Sequence, residues 1–250
     1  MALVYVGGQV GQFAGTTSAQ TITFALTNGT DTAPLAGDLV VIAYGVASAN
    51  TRDPALAIRN TAAVDYTLVG SELFSDDARY ANLRVAYRVM PATPETQFVL
   101  TETVNGGTGN AADAGAYTVH VFRNHAAAVI DVATTTDTGI DTRLANPPAI
   151  TPITSGAWIY VVGVGACGTG GTYTAAYLTD LRVTTQADSN DVNIGSGYVV
   201  WTSGAYDPAA FGGGGTDSLN DAWAAITVAI RPAGDAAALK RFLTLLGVGT

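Results

Sequence analysis

GDLVVIAYGVAS, residues Gly37–Ser48, and SGAWIYVVGVGA, residues Ser155–Ala166, decide how this chain is read. Each follows a proline turn, Ala33-Pro34 in one case and Thr151-Pro152 in the other, and each is a short, almost continuously apolar run. Runs of that length and composition read as strands covered on both faces. The segments that follow recur in the same order. Asp65-Tyr66-Thr67 answers Thr172-Tyr173-Thr174, LRVAYRV (Leu83–Val89) answers GYVVW (Gly197–Trp201), and GAYTVHVFRN (Gly115–Asn124) answers DAWAAITVAIRP (Asp221–Pro232). Four strands therefore repeat with a period of roughly 110 to 118 residues. Two four-stranded antiparallel halves in one chain predict an all-β jelly-roll sandwich with paired Greek keys.

Other strand signals fit between these. TITFAL (Thr21–Leu26) alternates and then meets the turn pair Asn28-Gly29, and Gln97–Thr101 is a further short run. Within AYTVHVFRN, Tyr117, Val119 and Val121 share one face and Thr118, His120 and Phe122 the other, both largely apolar. Such a strand suits the middle of a packed sandwich or a sheet covered by a neighbouring subunit. The expected organisation is N-terminal strands or an arm over residues 1–32, a sandwich over 33–233 with halves at about 33–124 and 151–232, and a tail over 234–250. The segment His125–Thr154 reads as a surface connection within the fold rather than a domain boundary.

The tail carries the one strong helical signal. Leu239, Phe242, Leu243 and Leu246 fall at i, i+3, i+4 and i+7, with Asp235 placed to cap and Lys240 and Arg241 off the stripe. A short C-terminal helix is expected there, either docked on its own domain or serving as an assembly tail.

Hydrophobic residues make up 48% of the 250 positions and charged residues only 12%, with a formal net charge of −9 and Lys240 as the only lysine. Nucleic acid needs clustered cations to displace its counterions, so it is not an expected partner. A charge-poor, apolar chain is instead expected to assemble into a larger object. The single Cys167 excludes an intramolecular disulfide and a cysteine-rich metal site. MALVYVGGQVGQFAG lacks the basic start of a signal peptide, and no apolar run reaches the ~20 residues of a membrane helix. The expectation is a protein made in the cytoplasm with no membrane insertion.

Each motif with catalytic overtones has a plainer reading. Gly163-Val164-Gly165-Ala166-Cys167-Gly168 is a literal GxGxxG after a strand, with Asp188 at the spacing of a ribose-binding acid. That fingerprint needs a helix starting at its last glycine, and TGGTYTAAYLTD has no helical stripe, so no cofactor is expected. Glycosidase chemistry needs two facing carboxylates, yet the only glutamates are Glu72, Glu95 and Glu102, near turns or on separate strands. His120 and His125 have no third histidine to complete a metal site, no GxSxG elbow is present, and Cys167 has no predictable histidine neighbour, so no catalytic or metal residues are assigned. Asp188-Ser189-Asn190-Asp191-Val192-Asn193 concentrates oxygen ligands that could hold Ca²⁺, but reads first as an Asx-rich turn. WTSGAYDPAAF places Trp201, Tyr206 and Phe211 beside acids and a glycine run, a candidate ligand or receptor loop or else a loop folded back on apolar neighbours.

The order PxxxGDLVV, a Tyr-Thr-Leu-Val loop, LRVAYRVMPATPETQFVLT, AYTVHVFRN, a second GDL-like half and a terminal AWAAITVAIRPA resembles bacteriophage minor tail and other virion proteins with concanavalin-like or jelly-roll folds, over roughly residues 33 to 233. The resemblance implies a homo-oligomeric virion component, assembled in host cytoplasm, that binds other virion proteins or a host-surface glycan. A tail-associated role comes first, a capsid decoration or head protein second. A polysaccharide-active sandwich enzyme is the alternative from another class, against which the sparse glutamates speak.

Overall fold

A computed structural model describes residues 1–15, 19–48, 54–76, 79–103, 114–140, 144–167, 171–186, 191–214 and 221–234. The described chain is all β. In the first half run β1 (Val4–Ala14), β2 (Gln20–Thr23), β3 (Leu39–Ser48), β4 (Ala55–Arg59), β5 (Thr67–Leu68), β6 (Leu73–Ser75), β7 (Tyr80–Val89), β8 (Gln97–Thr103) and β9 (Ala114–Arg123). The second half contributes β10 (His125–Ile130), β11 (Thr135–Gly139), β12 (Trp158–Cys167), β13 (Thr179–Gln186), β14 (Asp191–Val200) and β15 (Trp223–Pro232).

The two large sheets have matching topologies. The first runs β1-β9-β3-β7, with β5 and β6 both on β7; the second runs β10-β15-β12-β14-β13, with β11 also on β15. In each, the apolar strand that opens the repeat sits in the middle, between the second and the last long strand of its half. A third, three-stranded sheet β2-β8-β4 covers the outer face of the first. The interleaved orders β1-β9-β3-β7 and β2-β8-β4 make the first half a jelly roll in its own right. The outer face of the second sheet is covered by chain between its strands, which brings Ala145, Ile150, Tyr173 and Phe211 over Ile159 and Val161.

The inner faces of the two large sheets pack on each other in one core. Leu39, Val41 and Ala43 of β3 share it with Tyr160, Val162 and Val164 of β12 and with Ile226, Val228 and Ile230 of β15. Alternate residues Val40, Ile42 and Tyr44 point the other way, towards Phe98, Leu100, Leu56 and Ile58 under the small sheet. Both faces of β3 are thus buried within one chain, as the continuous apolar run demands.

The repeat is real, but its two leading stretches superpose one residue out of step with their end-to-end reading. Gly37 and Gly156 both take a left-handed turn conformation, φ 80° and 79°. The amide after each closes the same turn, Asp38 onto the Leu35 carbonyl and Ala157 onto that of Thr154. Leu39 therefore corresponds to Trp158, not to Ala157. Because both faces of these strands are apolar, composition does not fix the register, whereas a one-residue slip exchanges the faces. Gly45 lies against Val164, its own counterpart, so the pseudo-twofold axis passes between β3 and β12. Phe122 meets Trp158 with ring centroids 5.8 Å apart, and corresponding strand ends lie at the same end of the molecule.

The edges differ from the sequence reading. Residues 1–32 are built into the sandwich, because β1 pairs with β9 along its length. His125–Thr154 supplies β10 and β11, both paired to β15. Only Thr21–Thr23 of TITFAL lie in a strand, β2, since the Phe24 and Leu26 amides turn to the carbonyls of Thr96 and Thr32. The expected C-terminal helix lies outside the described residues.

Candidate functional site

The densest concentration of polar chemistry among the described residues lies in the seam between the halves, organised by Arg182 of β13. Its guanidinium crosses from the second half into the first. Nε donates to Asp180 Oδ2 (2.8 Å), one terminal nitrogen to Thr27 Oγ1 (2.7 Å), and the other to Tyr5 Oη (2.8 Å) and the Thr27 carbonyl (2.6 Å). A buried guanidinium is tolerable only when paired and hydrogen-bonded in this way. Gly8 of β1 provides the room: a β-carbon there would stand 2.7 Å from the Val119 carbonyl oxygen and 2.8 Å from Arg182 Nε.

Asp180 sits where the β13–β14 ladder slips, between Thr179 and Arg182, with φ 47°. Aspartate is among the few side chains that visit this left-handed region with modest cost. The bulge aims its carboxylate at Arg182 and its carbonyl at His120, which lies 3.0 Å away through Nε2. His120 is fully buried in an aromatic box with Tyr5, Phe122, Tyr160 and Tyr198. Burial pulls its basicity down to about 4, against the opposing pull of the Asp180 carbonyl and carboxylate and with the help of Arg182. At neutral pH the ring is therefore uncharged, and the 3.5 Å approach to the Asp180 carboxylate is not an ion pair. A neutral ring donating through Nε2 leaves Nδ1 as acceptor.

On that side stands Ser196 of β14, its Oγ 3.4 Å from Nδ1 and 2.6 Å from Thr118 Oγ1. Serine, histidine and aspartate thus meet in one place, although no sequence motif joins them. The arrangement is sealed: Ser196, His120 and Thr118 have no exposed surface. Tyr160 closes it on the second-sheet side, its hydroxyl pushed up to about 12 by burial, partly offset by the Ser196 and Thr118 hydroxyls. In this closed geometry the group joins the halves and offers no hydroxyl to a substrate.

A pair of clamps repeats in the two halves. Arg123 at the end of β9 grips Asp38 through two contacts (2.7 and 2.9 Å) and Asp31 through a third, while Asp38 also accepts the Leu35 amide. At the end of β15, Arg231 holds Asp131 at 3.0 Å, and Asp131 accepts the amides of Ile153 and Thr154. Burial alone would raise the Asp131 carboxyl, but Thr154, the Ile153 amide and Arg231 together hold it below the usual carboxylate range. The two arginines correspond in the repeat; the aspartates come from different places. Arg79 meets the buried Asp221 at 2.9 Å, a further link across the halves.

Residues singled out in the sequence are dispersed. Glu72 accepts the Leu56 amide and pairs with Arg84, Glu95 binds Asn60, Tyr66 and Arg88, and Glu102 lies on β8. The GxGxxG runs through β12 as continuous strand to Cys167, with its last glycine outside the described residues. Gly163 leaves space for Phe211 and Ala145, within 2.7 Å of where a β-carbon would be. Asp188 also lies outside the described residues, whereas Asp191 and Asn193 belong to paired strand β14 rather than to a turn. No group of three or more metal-ligating side chains occurs among the described residues. Of the candidate loop, Phe211 is core, packed on Tyr173 at 5.0 Å. Trp201 and Tyr206 remain half-buried at the surface, Trp201 Nε1 donating to the Gly204 carbonyl and Tyr206 bridged through its backbone to Ile150. Leu239, Phe242, Leu243 and Leu246 lie outside the described residues. No helix among the described residues is long and apolar enough to cross a membrane.

Comparison of the chain with family models, with curated proteins and with solved structures finds no match in any of the three.

Proposed function

We propose that this chain is a non-catalytic structural subunit of a bacteriophage virion, tail-associated and present in several copies, with a capsid decoration role as the second reading. The observation that carries it is how the side-chain chemistry is distributed. The strongest polar constellation, Arg182–Asp180–His120–Ser196, is engaged in fastening the two halves to each other, and the arginine clamps are engaged within each half. A β-sandwich whose halves are held in this way is a rigid building block, and jelly rolls recur in capsid and lectin domains. Trp201 and Tyr206 are the contacts this reading assigns to a host-surface glycan or a neighbouring virion protein.

Immunogold labelling of phage particles with antibody against the purified chain tests the proposal. Label at the tail is the expected result; label at the head favours decoration, and particles without label refute both. Release of reducing sugar from host polysaccharide by the purified chain would favour the enzymatic alternative.

A further inference from the structure

We infer that the end of the sandwich where β3 and β12 begin is the contact face of a twofold dimer, covered by the same end of a second copy of this chain. Five of the ten exposed large apolar side chains among the described residues gather there: Val4, Leu35, Val89, Ile153 and Val200. Register places them together. Val4 pairs with Arg123 and Val89 with Leu39, at the same end of the first sheet, and Val200 pairs with Trp158 at the corresponding end of the second. Leu35 and Ile153 sit in the matching turns that lead into β3 and β12. An exposed apolar cluster that bridges both halves marks an interaction surface.

The symmetry of the patch identifies its partner. Leu39 and Trp158 are equivalent positions of the repeat, so their ladder partners Val89 and Val200 are equivalent too, 40% and 52% exposed. The pseudo-twofold axis between β3 and β12 runs along the strands and leaves the molecule through this face, with apolar positions on either side of it. A face with its own twofold symmetry matches a copy of itself. Turning a second chain end over end, about an axis perpendicular to the strands, sets valine on valine in either of two ways. Val89 meets Val89 and Val200 meets Val200, or Val89 meets Val200. Such a contact is isologous and closes at two chains. Charge permits it: the chain carries a formal net charge of −9, yet the carboxylates Asp31 and Asp38 beside the patch are held by Arg123, and Asp131 by Arg231. Size fits as well. The five side chains expose on the order of 400 Å² of apolar surface, close to the ~450 Å² of apolar area within the ~800 Å² that each partner of a standard interface buries. Dimerisation through this face is independent of the virion role, which particle labelling tests separately.

Sedimentation equilibrium of the full chain across the micromolar range tests the assignment. The wild type is expected to be a dimer that dissociates only on dilution. Val89→Glu and Val200→Glu, at exposed positions outside the polar seam, each bury a charge in the contact and are expected to weaken the dimer about a hundredfold or more. Ile140→Glu is the control. Ile140 is 48% exposed and follows Gly139, whose partner Trp223 pairs with Gly165 at the opposite end of the molecule, so its dimer should be as tight as wild type. Val200→Glu is then mixed with Val200→Lys and, separately, with Val89→Lys. One of the two mixtures is expected to restore association, which shows that the variants are folded and tells which valines meet. A wild-type monomer throughout, a dimer that survives both glutamates, an equal loss with Ile140→Glu, or no restoration in either mixture would each overturn the inference.

Discussion

Acidification is expected to loosen the seam between the halves, through His120. Its ring is neutral in the folded chain, with basicity pulled from 6.5 down to about 4. In the unfolded chain it takes up a proton near pH 6.5. Between these values the unfolded state binds more protons than the folded one, so stability falls as pH falls. The contribution is complete above pH 6.5 and is lost by about pH 4. At ~1.4 kcal/mol for each tenfold change in proton affinity, the full loss is about 3 kcal/mol, a large fraction of the ~5–15 kcal/mol typical of a folded domain. The groups facing the ring decide why it stays neutral: Asp180 and Arg182 from β13, Tyr5 from β1, Tyr160 from β12 and Tyr198 from β14. Asp180 is engaged by Arg182, so its charge is largely answered before it can hold an imidazolium. The assay is urea unfolding at pH 7, 5.5 and 4 for the wild type and His120→Gln, whose amide can donate to the same carbonyl. The two chains differ at this one side chain, so the difference between their pH dependences reports on the histidine. The wild type is expected to lose about 3 kcal/mol more than the variant between pH 7 and pH 4. Parallel curves would refute the argument.

Other consequences of the seam and clamps can be measured by the same unfolding experiment. Asp180→Ala strands the buried Arg182 and is expected to cost about 3–5 kcal/mol, while Asp180→Asn, which tolerates the same left-handed backbone and keeps an acceptor, costs less. Gly8→Ala drives a methyl against the Val119 carbonyl and Arg182 Nε and should cost about 1–3 kcal/mol; an unchanged urea midpoint would contradict the close approach. Arg231→Met leaves the buried Asp131 without its counter-ion and should cost about 3–5 kcal/mol near neutral pH. Because the Asp131 carboxyl is held below its ordinary value, its stabilisation is present above about pH 4 and lost as pH falls further, so wild type and Arg231→Met should converge in acid. Trp201→Ala, at a half-buried surface position, should reduce binding to host cells with a melting temperature within a few degrees of wild type; unchanged binding removes Trp201 from the proposed contact.

How much of this was legible in the chain follows from where the information lies. β3, β7, β9, β12 and β15 announce themselves because they are long runs rich in apolar, β-branched and aromatic residues, and the recurrence of such runs in the same order reveals the duplication. The register of the duplication was not legible, since a strand apolar on both faces looks the same when shifted by one; the turn glycines Gly37 and Gly156 carry that information instead. β10 and β11 went unread because a strand paired on one side and wet on the other keeps no apolar run, as TTDTG shows. β14 was truncated for a similar reason. Its start, Asp191-Val192-Asn193, has the composition of a turn, yet these residues pair with β12 and are buried beneath the second half.

The seam was hidden for a deeper reason. Arg182 lies 155 residues from Thr27 and 177 from Tyr5, and His120 lies 60 from Asp180 and 76 from Ser196. No local pattern connects residues so far apart; only the packing of two sheets does. One trace was nonetheless present. The inner face of β9 interrupts its apolar residues with Thr118 and His120, and its counterpart on β15 does not place a histidine there. A buried polar residue on one half of a repeat and not on the other breaks the symmetry of the core. Desolvating it is unfavourable unless the opposite half supplies partners, so such a residue marks the face that must meet something polar. Asp180, Ser196 and, through them, Arg182 are what it meets. The asymmetry holds the two halves in a single relative position, because sliding one sheet by a residue would leave His120 and Arg182 buried without partners, a penalty of several kcal/mol that apolar packing alone would not impose.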